Sequence, residues 1–215
     1  MLLYFSEEEF AVMMELAGGG EYTLFLTEPE LDDRRLSEAF IRLFQRGLIE
    51  RNEQGLELSK KGAFFRWIRS SRHSVLLRSE YPERRTCMVY VQKNQLWLAE
   101  IQDGSPYERY RLRVLAPEEL EKWLIDTQSL PQPMLREEDT PELLGILGNR
   151  LEREEEDRVL AQLTKQDNDG TVLLEYTLLS GETGQLLQKT DGGDTSIRIY
   201  TQEAMCEMLR QCFGG

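Results

Sequence analysis

The sequence lacks most of the residues and motifs on which enzymes depend. It contains one histidine, His73, and histidine is the side chain that most readily exchanges a proton near neutral pH. His73 has no HxxxH or cysteine companion nearby, so a zinc site is not expected. A Gly-x-Ser-x-Gly elbow and a Gly-rich phosphate loop ending in Lys-Ser are both absent from the sequence. We therefore predict no catalytic residues, no metal ligands and no cofactor, and we expect that the protein is not an enzyme.

Cysteines and long apolar runs are also scarce. The three cysteines, Cys87, Cys206 and Cys212, are odd in number and show no CxxC spacing, a pattern typical of free thiols in a reducing compartment. The apolar runs are far shorter than the ~20 residues that a membrane helix needs, and the N-terminus is acidic where a signal peptide would be basic. The sequence therefore predicts a cytoplasmic protein that does not insert into a membrane.

Basic charge is in deficit, with 26 Lys and Arg residues against 39 Asp and Glu residues and a formal net charge of -13. Such an excess of acid disfavours nonspecific attraction to phosphate backbones and to anionic lipid. Nucleic acid is therefore not an expected partner unless one face is locally basic. A hydrophobic fraction of 40% is nevertheless enough for a folded core.

One stretch of the chain is similar to another. RLRVLAPEELEKWL at residues 111–124 matches SIRIYTQEAMCEML at residues 196–209 without a gap, and Arg113 falls on Arg198. Both copies alternate apolar and polar residues and then change to helical spacing, which predicts a strand that leads directly into a helix. We expect the two arginines to pair with nearby acids. Strands are predicted at 75–79, 86–92, 95–101 and 107–115 before a helix at 117–126, and at 171–179, 185–189 and 195–200 before a helix at 202–213.

The first 72 residues predict two helices and a hairpin. Ser6-Glu-Glu-Glu9 is a capping box that starts the first helix, and the second is expected from Pro29 to Arg46 with Leu36, Ala39, Phe40, Leu43 and Phe44 facing inward. LIERNEQGLELSKKG predicts a small hairpin around residues 52–55, and an aromatic, basic helix is expected at 63–72.

This N-terminal order, with the phrase Leu43-Phe-Gln-Arg-Gly47-Leu-Ile49, resembles the winged-helix family over residues 6–62. The resemblance implies a helix that can contact DNA, with Arg34, Arg35 and Arg42 as its candidate DNA-binding residues. The same helix starts at Asp32-Asp33, which would bring negative charge to the phosphates. A docking or scaffolding role is therefore favoured for this unit.

The region between the two similar stretches predicts a linker and a long helix. Three prolines and an acidic cluster indicate a surface linker at 128–141. Leucines and valines spaced in threes and fours predict a helix at 142–165, with the charge run 152–158 on its solvated face. Asp167-Asn-Asp-Gly170 does not fit a calcium loop, because Lys165 and Tyr176 would occupy ligand positions, and it is expected to be a turn.

The fold class predicted from these elements is α+β. We expect a winged-helix-like unit at 1–72, a first β-β-β-α half at 73–127, the linker at 128–141, and a helix with a second β-β-β-α half at 142–215. The two related halves are expected to build one antiparallel sheet with helices packed on it, although two separate small sheets remain an alternative.

The order of elements resembles the EspG-type chaperones of type VII (ESX) secretion systems. The resemblance rests on residues 6–16, the stretch 43–48, the strand 96–101 and the doubled strand-helix corner. It implies a cytosolic protein that binds helical secretion substrates and performs no chemistry.

The function expected from the sequence is thus a non-enzymatic protein-binding module, a secretion-associated chaperone or adaptor. A homodimer is also compatible with the sequence. The alternative is a winged-helix transcription regulator that binds DNA through Arg34, Arg35 and Arg42 and uses the sheet as a sensor or dimerisation domain. The residues expected to bind the protein partner are Tyr107, Tyr110, Leu130, Met134 and Leu135.

Overall fold

The computed structural model describes residues 2–18, 32–80, 83–102, 106–133, 158–181 and 184–214. The helices of these residues are α1 (Glu7–Leu16), α2 (Asp33–Gln45), α3 (Phe64–Arg69), α4 (Leu120–Asp126) and α5 (Gln202–Phe213). The strands are β1 (Leu2–Phe5), β2 (Ile49–Asn52), β3 (Gly55–Leu58), β4 (His73–Ser79), β5 (Arg85–Val91), β6 (Leu96–Ile101), β7 (Tyr110–Leu115), β8 (Arg158–Gln166), β9 (Val172–Gly181), β10 (Gly184–Asp191) and β11 (Asp194–Ile199).

Nine of these strands form a single antiparallel sheet in the order β1-β7-β6-β5-β4-β8-β9-β10-β11, and β2 pairs with β3 in a separate hairpin. The predicted α+β class is confirmed. The chain divides into two compact units. One comprises Met1–Ser74, Cys87–Ala116 and Asp167–Gly170, and the other comprises Val75–Thr86, Pro117–Gln166 and Thr171–Gly215. The residues of the predicted half 73–127 are thus shared between the two units.

In the first unit, α1 begins with the predicted capping box. Ser6 Oγ accepts a hydrogen bond from the amide of Glu9 at 3.2 Å, and Glu9 Oε2 accepts one from the amide of Ser6 at 3.0 Å. The next helix, α2, starts after Asp32, whose carboxylate accepts from the amide of Arg34 at 2.8 Å. The predicted start at Pro29, and the apolar segment that precedes it, lie outside the described residues. Gly47 follows the helix with φ +67°, the left-handed conformation that commonly ends a helix.

The predicted hairpin is confirmed, with Ile49 opposite Leu58 and Asn52 opposite Gly55. Helix α3 is shorter than expected, because it ends at Arg69 and the chain is extended again from His73 onward. Strand β7 also starts later than expected, since Pro106–Glu108 forms a short 3-10 helix.

The first residues of the chain form an edge strand that the sequence analysis did not predict. β1 pairs antiparallel with β7, so that Leu2 lies opposite Arg113 and Phe5 opposite Tyr110. Phe5 then packs edge-on against Phe65 at 5.4 Å between ring centroids, and Phe10 lies 5.0 Å from the ring of Tyr110. These aromatic side chains are fully or almost fully buried and form the core of the first unit.

In the second unit, the helix predicted at 142–165 is wrong over the residues that the structure describes. Residues 158–165 of the predicted helix 142–165 lie in β8, which pairs antiparallel with β9. The apolar residues of this short run fit both helical and strand spacing, and register shifts at Val159/Ala161 and Lys165/Gln166 hide the alternation of a strand. The rest of that helix, the charge run up to residue 157 and the linker beyond residue 133 lie outside the described residues.

The last helix, α5, has the predicted bounds. Thr201 caps it, because its side chain accepts a hydrogen bond from the amide of Ala204 at 3.2 Å. Met205 and Met208 lie on the buried face of this helix. The hydroxyl of Tyr176 on β9 donates to Gln211 Oε1 at 2.7 Å.

A strand leads into a helix at both predicted corners. β7 leads into α4 after the short 3-10 helix Pro117–Glu119, and β11 leads into α5. Asp167–Gly170 is a turn, as expected.

None of the described helices is long and apolar enough to cross a bilayer. Across the same described ranges, no group of three or more His, Cys, Asp and Glu side chains is placed to hold a metal ion.

Candidate functional site

The contact between α1 and α2 is built around one buried carboxylate. Only 3% of the Glu9 side chain is exposed. Its Oε1 accepts a hydrogen bond from Arg42 Nε at 2.9 Å, and its Oε2 accepts one from Arg46 Nη1 at 3.0 Å. Arg46 also donates to the carbonyl of Tyr4 at 2.8 Å and lies over the Phe5 ring. Glu9 thus caps α1 and also neutralises Arg42 of α2 and Arg46 at the C-terminal cap of that helix.

The arginines proposed to bind DNA are all engaged with acids. Arg42 pairs with Glu9, and Arg35 lies 3.6 Å from Glu8 on the same helix α1. Arg34 forms an exposed pair with Glu38 at 3.1 Å. A phosphate would have to compete with these carboxylates, and the Arg42 pair is largely removed from water. The structure therefore places Arg42 in the contact between α1 and α2, whereas Arg35 lies at the exposed margin of that contact.

The outward face of α2 is apolar at its centre. Ile41 is 56% exposed and Phe44 is 40% exposed, and residues three apart on a helix lie on the same face. Ala39 and Leu43 are buried, as expected, whereas the expectation that Phe44 faces inward is wrong. Helical spacing could have identified Ile41, because it lies on the side opposite Ala39 and Leu43.

A tyrosine from another part of the first unit borders this helix. Tyr107, in the 3-10 helix before β7, is 60% exposed, and the Arg42 guanidinium carbon lies 5.2 Å from the centroid of its ring. This is a cation–π contact, so Arg42 is held by Glu9 and covered by Tyr107. We call Ile41 and Phe44 together the α2 surface, and Arg42 with Tyr107 lies on the side of the helix that faces α1.

Two of the other residues predicted to bind a partner are buried. Tyr110 is only 2% exposed, packs on Phe10, and its pKa is raised well above the usual range by burial. Leu130 is also buried. Neither side chain is exposed to a partner in this structure, and for Tyr110 the reason is its contact with a distant part of the sequence, Phe10 of α1. Met134 and Leu135 lie outside the described residues.

The matched arginines of the two similar stretches pair with acids, as expected. Arg113 Nε lies 3.3 Å from the buried carboxylate of Glu100, which also accepts two hydrogen bonds from Arg111 at 2.7 and 3.0 Å. The hydrogen bond to Glu100 raises the pKa of Arg111. Arg198 pairs with Glu207 on α5, and this hydrogen bond lowers the pKa of the Glu207 carboxyl.

The thiols have the chemistry of structural residues. All three cysteines are free, and Cys87 and Cys212 are buried. Burial raises the pKa of Cys87 well above its ordinary value and that of Cys212 to about 12. Because the thiolate is the nucleophile, neither buried thiol is activated for covalent catalysis. His73 is also buried, at the start of β4.

No protein-family model matches the chain, and no curated protein matches it. The α2 surface is therefore the best-supported candidate site on geometric grounds.

Proposed function

We propose that the protein is a non-enzymatic protein-binding module of the cytoplasm, a secretion-associated adaptor or chaperone for helical export substrates. The observation that carries the proposal is the orientation of α2. Arg35 and Arg42 are directed to Glu8 and Glu9 of α1, and Arg34 forms an exposed pair with Glu38. Ile41 and Phe44 are directed to solvent.

This orientation favours protein over nucleic acid as the partner. A helix that binds DNA needs cations that are available to phosphates, and each of these arginines already faces a carboxylate. Exposed apolar side chains at positions i and i+3, by contrast, match the apolar face of another helix. Tyr107, which covers Arg42 on another side of the same helix, is a further exposed aromatic side chain, and such residues are enriched in protein interfaces. The partner that fits the α2 surface is an amphipathic helix.

The secretion-associated part of the proposal is supported by the order of elements. Helices α1 and α2 precede a hairpin, and strand-to-helix corners occur at β7–α4 and β11–α5. These are the features on which the resemblance to EspG-type chaperones rests. A duplicated sheet and a winged-helix-like first unit are part of the same proposal.

The test is partner capture with matched surface variants. The protein, produced in its native host with an affinity tag, should recover a helical partner, identified by mass spectrometry and confirmed by direct titration of the purified pair. The double substitution Ile41→Ser and Phe44→Ser should weaken the binding constant at least tenfold, since each buried apolar side chain contributes about 1.5–3 kcal/mol.

The matched control is Val172→Ser with Leu173→Ser, which removes two exposed apolar side chains from β9. The control should bind as the unsubstituted protein does. Equal weakening by both double variants, or by neither, contradicts the proposed surface. Salt-dependent binding to the DNA upstream of its gene, lost in Arg34→Ala with Arg35→Ala, would favour the transcription regulator instead.

A further inference from the structure

Strand β11 lies at one edge of the nine-stranded sheet, with β10 as its neighbour. It continues from β10 through a two-residue turn in which Gly192 and Gly193 have φ +59° and +97°. Positive φ at both positions is the type I′ turn that suits a tight hairpin. Asp194, Thr195, Ser196 and Ile197 are all exposed, so this part of the edge is open to solvent.

The register of the hairpin determines which backbone groups face outward. The residues that flank a two-residue turn, here Asp191 and Asp194, form a hydrogen-bonded pair, and such pairs alternate along the ladder. The amide of Tyr200 donates to the carbonyl of Gln185 at 2.9 Å, so Tyr200 also belongs to a hydrogen-bonded pair, as this alternation requires. Residues 194, 196, 198 and 200 therefore bond to β10. The N–H and C=O groups of Thr195, Ile197 and Ile199 point away from the sheet.

β11 has few of the features that protect natural sheet edges from pairing. Proline, lysine and bulges commonly block an exposed edge. β11 has the sequence DTSIRI, which contains no proline or lysine, and its register with β10 is continuous. Three of its residues, Thr195, Ile197 and Ile199, are β-branched and favour strands.

The charges of β11 are complementary to those of a second β11 that runs antiparallel to it. If Ser196 lies on the two-fold axis, Asp194 of each copy is opposite Arg198 of the other, and Thr195 is opposite Ile197. In this register the outward-facing N–H and C=O groups of Thr195 in one copy form hydrogen bonds with those of Ile197 in the other copy. Opposite charges in facing positions of an antiparallel pair are stabilising.

An arginine from a second copy would relieve the charge repulsion at Asp194. Asp194 lies directly opposite Asp191 within the hairpin, and Lys189 pairs with Asp191 at 3.0 Å. In the described part of the chain, Asp194 has no ion-pair partner of its own. Arg198 pairs with Glu207 and donates to the carbonyl of Ala204. A guanidinium has five N–H donors, so further donors remain for a second carboxylate.

We propose that β11 is a self-association edge, at which two copies of this chain pair antiparallel through residues 194–198 with Ser196 on the two-fold axis. The pairing is separate from the α2 surface and does not depend on the proposed function. Two short strands bury less than the about 1,600 Å² of a standard interface. The dimer should therefore dissociate on dilution, with a dissociation constant on the order of 10⁻⁶–10⁻⁴ M.

The first test uses proline at the edge. Ile197→Pro removes an N–H that makes no bond to β10, so it should abolish the concentration-dependent increase in mass in sedimentation velocity with little change in thermal stability. Ser196→Pro is the matched control, because it removes an N–H that bonds to β10 and should lower the melting temperature. A chain that stays monomeric at about 10⁻³ M, or a dimer that persists in Ile197→Pro, overturns the proposal.

The second test examines the register without relying on stability. Ser196→Cys, in a Cys206→Ser background, should form a disulfide-linked dimer under mild oxidation, because the facing Cα atoms of a non-hydrogen-bonded pair lie about 4.5 Å apart. Asp194→Lys and Arg198→Glu should each prevent self-association, and a mixture of the two should restore a mixed dimer. Failure of the mixture to associate, or cross-linking through Ile197→Cys instead, rules out this register.

Discussion

Replacing Glu9 by alanine should destabilise the first unit more than any other single change of an acid in α1. The substitution removes the counter-charge of Arg42 and Arg46 and also the acceptor of the Ser6 amide. Breaking a buried ion pair by removing one partner costs about 3–5 kcal/mol. For a chain of this length that corresponds to a decrease of roughly 6–20 °C in melting temperature.

Glu8→Ala is the matched control at the neighbouring position. Its partner, Arg35, is mostly exposed and lies 3.6 Å away, so the loss should be below about 1 kcal/mol. Glu9→Gln keeps the shape and the capping acceptor but removes the charge. We expect an intermediate loss of roughly 2 kcal/mol, the value of a charge-assisted hydrogen bond.

The measurement should follow the first unit alone. Two of the three tryptophans, Trp67 and Trp97, belong to this unit, and the third is Trp123. In a Trp123→Phe background, tryptophan fluorescence during urea unfolding therefore monitors the first unit. If Glu9→Ala and Glu8→Ala have the same unfolding midpoint, Glu9 does not have the central role that its contacts indicate.

Three further predictions concern packing, thiols and pH. Gly62→Ala should cost about 3 kcal/mol, because a Cβ there would lie 2.0 Å from the carbonyl oxygen of Leu48; calorimetry of the variant checks this. A membrane-impermeant maleimide should label Cys206 in the folded protein and reach Cys87 and Cys212 only after unfolding, as mass spectrometry would show. Burial raises the pKa of Cys212 from an ordinary 9.0 to about 12, and the same effect raises the pKa of buried tyrosines. The folded state thus holds protons that the unfolded chain releases. The contribution of these groups to stability should be complete below about pH 9 and should be lost as the pH rises towards 12; urea midpoints that stay flat between pH 9 and 12 would contradict it.

Local signals in the sequence predicted the elements that depend on neighbouring residues. The capping box at Ser6, the hairpin at residues 49–58 and the helix at 202–213 each have their start, turn or apolar face within a few residues. β8 was misassigned because its bulges disturb the alternation that identifies a strand. β1 was missed because four apolar residues become a strand only when β7 is beside them.

The candidate site was harder to predict because exposure depends on distant contacts. Tyr107 and Tyr110 are three residues apart and chemically identical, yet one is exposed and the other is packed against Phe10 of α1. Arg42 looked like a DNA-binding residue until its partner, Glu9, was known. Charge composition alone could not show that Arg42 is held against α1.

The pairing of β1 with β7 also constrains how the chain folds during synthesis. At roughly 5–20 residues per second, about 5–20 s pass between the synthesis of Leu2 and that of Tyr110. Until then Phe5 and Phe10 have no β7 to pack against, and the apolar residues of β1 stay open to chaperones and to other nascent chains. A ribosome-bound fragment that stops before β7 should therefore be protease-sensitive throughout α1 and α2. Protection of both helices should appear together, as soon as β7 has left the ribosome.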